Sequence, residues 1–188
     1  ALNYRSGIGY GLEFREAEDY GATGNSEFRD VIGTALYLAS RPDVDPERIT
    51  VWGGSYGGYL TAHALAQASD LFAAGVDIHG VHDWNEGIRN FTRSYNKNDY
   101  PEESALAFRS SPMNFLDDWR SPVLLIHGDD DRNVFFSETT RLYRELRKRD
   151  VHVEQLVFPD EVHGFLLHSS WVKAYDATAE FLIRAMQE

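Results

Sequence analysis

The 188-residue sequence contains no cysteine. That absence excludes a disulfide scaffold, a thiolate nucleophile and any cysteine-ligated metal. No apolar run approaches the roughly 20 residues of a membrane-spanning helix, so no membrane partner is expected. The chain opens at Ala1 and runs directly into structured-looking sequence, so it offers no targeting signal and the compartment stays open. Positive charge is scarce. Eighteen Lys and Arg stand against 30 Asp and Glu, a formal net charge of −12. A surface of that sign repels phosphate backbones, and nucleic acid is not an expected partner. The one basic cluster (Arg141, Arg144, Arg147, Lys148, Arg149) is interspersed with Glu145 and Asp150 and reads as a solvated helix face. Internal repeats and low-complexity linkers are also lacking.

What is present reads as a folded globular chain, with 43% hydrophobic and 26% charged residues. Its length suits one domain over residues 1–188. Apolar strand-like runs alternate with amphipathic helices, which predicts an α/β fold with a doubly wound, mostly parallel sheet of four or five strands. Residues 2–5 read as the end of a strand. Phe28, Val31, Ile32, Ala35, Leu36 and Ala39 recur at helical spacing, predicting a helix over 27–40. A strand at 49–52, a helix at 56–67 and a strand at 73–78 follow. The stretch 79–114 is irregular and aromatic-rich, with a helix near 102–108. The run 123–126 is the most strand-like. A helix around Leu142 and Leu146, a strand at 151–158 and a closing helix with Trp171, Tyr175, Leu182 and Met186 complete the pattern.

Gly53-Gly54-Ser55-Tyr56-Gly57 matches G-x-S-x-G, between a predicted strand and a predicted helix. On such a turn a serine hydroxyl is lifted above the carboxyl edge of the sheet. Gly53 and Gly57 would leave room for a strained Ser55 and a close strand–helix approach, and Gly58 would clear a further side chain. A phosphate-cradling loop would carry lysine after the last glycine, where Tyr59 stands, and the spacing of Gly7, Gly9 and Gly11 is wrong for a dinucleotide fingerprint.

A serine nucleophile needs an imidazole to take its proton and a carboxylate to orient that imidazole. In this architecture the order along the chain is Ser, acid, His, each on a loop after a strand. Among seven histidines, His163 has the strand-then-loop position with a glycine after it. His63 lies inside a helix, His152 in a strand and His168 at a helix start, while His127 reads as a loop-organising hydrogen bonder. His79, His82 and Asp83 hint at a metal, but nothing nearby in sequence completes a ligand set, and neither metal nor cofactor is expected. For the acid, Asp129, Asp130 and Asp131 stand in one loop, and position alone leaves them open.

Taken together, the residues resemble the catalytic α/β-hydrolase domain of the prolyl oligopeptidase family of serine peptidases. The matching stretches are Asn3-Tyr4-Arg5, Gly9-Tyr10-Gly11, Asp45-Pro46-Glu47-Arg48-Ile49, Trp52 through Tyr59, Ser111-Pro112, Pro122 through Gly128, Asp131-Arg132-Asn133-Val134 and His163-Gly164-Phe165. The resemblance implies Asp131 as the acid and the Tyr56 backbone N–H as one oxyanion donor. It also implies that Tyr56, Val81, Trp84, Asn133 and Val134 line the pocket for the residue before the scissile bond, although packing under a loop explains Val81 and Trp84 equally well. The order Ser6-Gly7 departs from the family's usual Gly-Ser.

The family carries an N-terminal β-propeller, earlier sheet strands and a second oxyanion donor on a loop in that earlier region. The resemblance therefore implies an α/β-hydrolase fold truncated at its N-terminal strands, the C-terminal part of a larger enzyme. The expected activity is hydrolysis of short peptides through an acyl-enzyme on Ser55. A carboxylesterase with the same triad and a non-catalytic module are the alternatives. A truncated sheet is further expected to expose an apolar edge and favour a homo-oligomer.

Overall fold

Val123–Gly128, the most apolar run of the sequence, forms the strand in which all six residues are buried. It sits in the interior of a four-stranded, entirely parallel sheet of a computed structural model that describes residues 1–21 and 25–187. The strands are β1 (Thr50–Gly54), β2 (Ala74–Ile78), β3 (Val123–Gly128) and β4 (Val153–Phe158), neighbours in that order. Burial on both faces is why β2 and β3 read as continuous apolar runs rather than as alternating ones.

The side chains divide by the two-residue period of a strand. Val123 and Leu125 point into one core, with Leu65 of helix α3 (Tyr56–Gln67) and with Leu142 and Leu146 of helix α6 (Ser137–Arg147). Helix α2 (Asn25–Ala39) packs outside α3 through Ala35, Val31 and Ile32. Leu124 and Ile126 point the other way, with Val76 and Ile78, against Ala174 and Phe181 of helix α7 (His168–Ala185). The sheet is thus covered on both faces, as an α/β-hydrolase sheet requires. Strand β1 is an edge, and beside it runs an apolar groove of about 450 Å³ lined by Leu2, Val31, Leu38, Val51, Trp52 and Leu60.

Three sequence expectations are corrected. Residues 2–5 form no strand; Arg5 is fastened instead to Asp30 of α2, with its guanidinium Nη2 2.7 Å from Oδ1 and its backbone N–H donating to Oδ2. The irregular stretch holds two helices, α4 (Trp84–Phe91) and α5 (Pro101–Arg109), where one was expected. Strand β4 starts at Val153, so the exposed His152, which pairs with Glu154, precedes it. The short helix α1 (Leu12–Arg15) lies in the glycine-bearing loop near the start.

Candidate active site

All four strands end at one edge of the sheet, and the loop after each delivers a polar side chain there. Ser55 follows β1 directly, and α3 begins at Tyr56. Ser55 has φ 56° and ψ −116°, a left-handed backbone that costs a non-glycine residue about 1–3 kcal/mol. Its amide is fastened on the β2 side, donating to the Ile78 carbonyl at 2.9 Å and to His79 Nδ1 at 3.0 Å. Close packing makes the turn tight. A β-carbon on Gly53 would lie 2.6 Å from the Gly57 carbonyl carbon, and one on Gly58 would collide with the Asp77 carboxylate and Gly80. Gly57 itself is uncrowded: a β-carbon there meets nothing within 4 Å. The expectation of a spatial need at Gly57 is therefore corrected; the need lies at Gly53.

The loop after β4 brings His163 to the serine. The Ser55 hydroxyl lies 2.9 Å from His163 Nε2, and His163 Nδ1 lies 2.7 Å from Asp131 Oδ2. With the side chain of His163 21% exposed and that of Asp131 fully covered, the carboxylate is sealed while the imidazole faces the cleft. Of the three candidate acids, Asp129 and Asp130 are exposed. Asp131 turns inward and accepts the backbone amides of Asn133 (2.8 Å) and Val134 (3.0 Å) on Oδ1.

His127, the penultimate residue of β3, donates through Nε2 to Asp131 Oδ2 at 3.1 Å and accepts the Thr139 hydroxyl on Nδ1 at 2.7 Å. It is the loop organiser that its position suggests. Burial alone would push Asp131 up, but the hydrogen bonds from His127, His163 and the two amides outweigh it and hold the carboxyl well below the usual carboxylate range.

The predicted pocket residues gather around the same edge. Val81 and Val134 are buried in one apolar cluster with Tyr59 and Leu60, and Tyr56 and Trp84 pack on it. The Tyr56 ring lies 6.3 Å from that of Trp84. Its hydroxyl donates to Gly21 O and Glu27 Oε1, and burial, reinforced by Glu27, raises its pKa far above the ordinary phenol value. Asn133 is exposed, and its amide serves Asp131. The Tyr56 backbone N–H is the first of α3, one of the N–H groups that a helix cannot satisfy internally.

Beneath the loop that carries Val81 lies a buried ionisable group: His82 Nε2 is 2.6 Å from Asp77 Oδ2, and Glu138 Oε2 accepts the amides of His82 and Asp83. Burial pushes Glu138 up to about 7.

The sequence profile of the prolyl oligopeptidase family matches residues 1–188. The chain belongs to that family. A probable dipeptidyl-aminopeptidase B of Talaromyces stipitatus is 32% identical over 176 residues, covering 89% of this chain and 19% of that protein. The acylamino-acid-releasing enzyme of Arabidopsis thaliana is 29% identical, over 86% of this chain and 23% of that one. The acylaminoacyl peptidase of Pyrococcus horikoshii superposes with a TM-score of 0.83 at 29% identity, over 99% of this chain and 32% of that one. The chain thus spans between a fifth and a third of the length of these family members. The superposition also shows the fold to be that of the family's α/β-hydrolase peptidases.

Among the hydrogen-bonding side chains at the site, sequence reasoning missed His79. Grouping it with His82 and Asp83 as a possible ligand set obscured it. The three diverge: His79 turns to Ser55, His82 to Asp77, and Asp83 caps α4 through the Asn85 amide while pairing with Arg141.

Proposed function

We propose that this chain is the catalytic part of a serine peptidase that cleaves short peptides through an acyl-enzyme on Ser55. The observation that carries the reading is the continuous relay of Ser55 Oγ, His163 Nε2, His163 Nδ1 and Asp131 Oδ2 at 2.9 and 2.7 Å. In the proposed cycle Ser55 Oγ attacks the peptide carbonyl while its proton passes to His163 Nε2, and the Tyr56 N–H donates to the developing oxyanion. His163 then hands that proton to the departing amine, leaving an ester on Ser55. Water enters, gives a proton to His163 and attacks the ester; the acid leaves and the proton returns to Ser55. Asp131, held ionised far into acid, keeps the imidazole in the tautomer that presents a bare Nε2 to the serine.

The apolar cluster of Tyr56, Val81, Trp84 and Val134 supports a pocket for the residue before the cleaved bond, with Asn133 at its rim. Family membership favours peptide bonds over simple esters.

The test is made on the intact protein. A fluorophosphonate probe is expected to label Ser55, peptidyl amides to be turned over, and Ser55→Ala to abolish both. Equal labelling of wild type and variant, or ester cleavage with no amide cleavage, would overturn the reading.

A further inference from the structure

His79 is the residue after β2 and sits level with Ser55, because the register pairs Gly54 with Ile78. Its backbone is left-handed (φ 45°), a conformation rare for histidine. That twist turns the imidazole back toward the nucleophile, where Nδ1 accepts the Ser55 amide at 3.0 Å. The ring lies against His163 with centroids 4.2 Å apart and planes inclined by 45°, and it makes an edge contact with Phe165 at 5.8 Å. Gly54 makes the space: a β-carbon there would press on His79 Cε1 at 3.3 Å.

An Nδ1 that accepts an N–H cannot carry a proton, so the resting ring is neutral with its proton on Nε2. That Nε2 is buried without a hydrogen-bond partner among the described residues, and a second proton would have to enter on Nδ1, where the Ser55 N–H already points. Burial lowers the His79 pKa to about 4, and the neighbouring His163 and His127 push the same way against the weaker pull of Asp131 and Asp77. The base therefore works beside a ring that adds no like charge when His163 becomes cationic.

We infer that His79 is a positioning residue of the catalytic centre: it clamps the amide of the nucleophile and forms the wall on which His163 rests. This rests on the reading of Ser55 and His163 as nucleophile and base. It has a corollary for the oxyanion site. The Ser55 amide is committed to Ile78 and His79, so it is unavailable to the substrate, and the Tyr56 amide becomes the donor on this chain.

The experiment compares His79→Asn, His79→Phe and His79→Ala in the intact protein. Asparagine tolerates a left-handed backbone and keeps an acceptor; phenylalanine keeps a ring but no acceptor. We expect Phe and Ala to lower kcat by about 10–100-fold, as small misplacements of reacting groups do, with KM within about twofold, and Asn to recover most of the loss. Nitrogen-15 spectra of the resting wild type should place the His79 proton on Nε2 at pH 7. Wild-type kcat in His79→Phe, or a proton on Nδ1, would overturn the inference.

If the Phe and Ala variants fail to fold, the Asn variant and the wild-type spectrum decide. An unreactive wild-type Ser55 would instead sink the peptidase reading, and the tautomer of His79 in the resting protein is measured independently of that outcome.

Discussion

Gly53 and Gly57 touch backbone to backbone, so closely that a β-carbon on Gly53 would sit 2.6 Å from both the carbonyl carbon and the carbonyl oxygen of Gly57. The contact is one-sided, since Gly57 has open space where its own side chain would go. Gly53→Ala must therefore push β1 away from the start of α3 and displace Ser55. Labelling of Ser55 by a fluorophosphonate is expected to slow by about a hundredfold, whereas Gly57→Ala should cost far less. Comparable losses in the two variants would show that the close approach is not what sets the turn.

His127 shields Asp131, the proposed acid. Replacing it with Phe removes the Nε2–H donor to Asp131 and to the Val134 carbonyl. A hydrogen bond to a charged group contributes about 1.5–3 kcal/mol, and a loss of that size at pH 7 is expected in denaturant unfolding. Because Asp131 is held below its ordinary value in the folded protein, its contribution is present above pH 3.8 and is lost as the pH falls. In His127→Phe the carboxyl should rise toward 3.8, so the wild-type advantage should shrink as the solution is acidified. An advantage that grows in acid would contradict this assignment.

The buried group of Asp77, His82 and Glu138 makes stability fall with rising pH. Glu138 stands at about 7 in the fold against an ordinary 4.5, so between those values the folded chain holds a proton that the unfolded chain releases. Its contribution is full below pH 4.5 and is lost as the pH climbs through about 7. His82 has the same sign: burial opposes its charge, but Asp77 and Glu138 prevail and raise it above 6.5. Glu138→Gln, which keeps an oxygen for the His82 and Asp83 amides, should flatten the decline measured by chemical unfolding between pH 5 and 7.5. An unchanged slope would assign the dependence elsewhere.

Trp84 tests the pocket. Its ring lies 5.2 Å from that of Tyr59 and 6.3 Å from that of Tyr56, so Trp84→Ala opens the apolar wall without touching the triad. Discrimination in kcat/KM between bulky and small residues before the cleaved bond is expected to fall by about tenfold. A uniform loss across all substrates would mark Trp84 as packing only.

Much of this was legible from the chain. Ser55 follows an apolar run directly and His163 lies in the loop that follows another, and a run followed by a polar glycine-bearing loop is a local signal. Asp131 was not separable from Asp129 and Asp130 by position, because the choice is made by which carboxylate turns inward onto the Asn133 and Val134 amides. Family likeness, not local chemistry, singled it out. Helix α4 was hidden by its own composition: Gly87 breaks the pattern, and the Asp83 cap, the packing of α5 and the seating of Trp84 on the apolar cluster help hold the segment helical. His79 was illegible for a different reason. Its role depends on the pairing of β1 with β2, a contact between residues 24 positions apart.

The parallel pairing of Val123 with Val153, continued through Gly128 with Phe158, also does more than build a core. One step along a strand is about 3.3 Å, larger than the tolerance of a hydrogen bond. A single-residue slip between β3 and β4 would thus carry Asp131 out of reach of His163 while leaving each loop intact. The ladder of backbone bonds is the ruler of this centre. The loop contacts, such as those of the Asn133 and Val134 amides with Asp131, then refine positions that the strand register has already set.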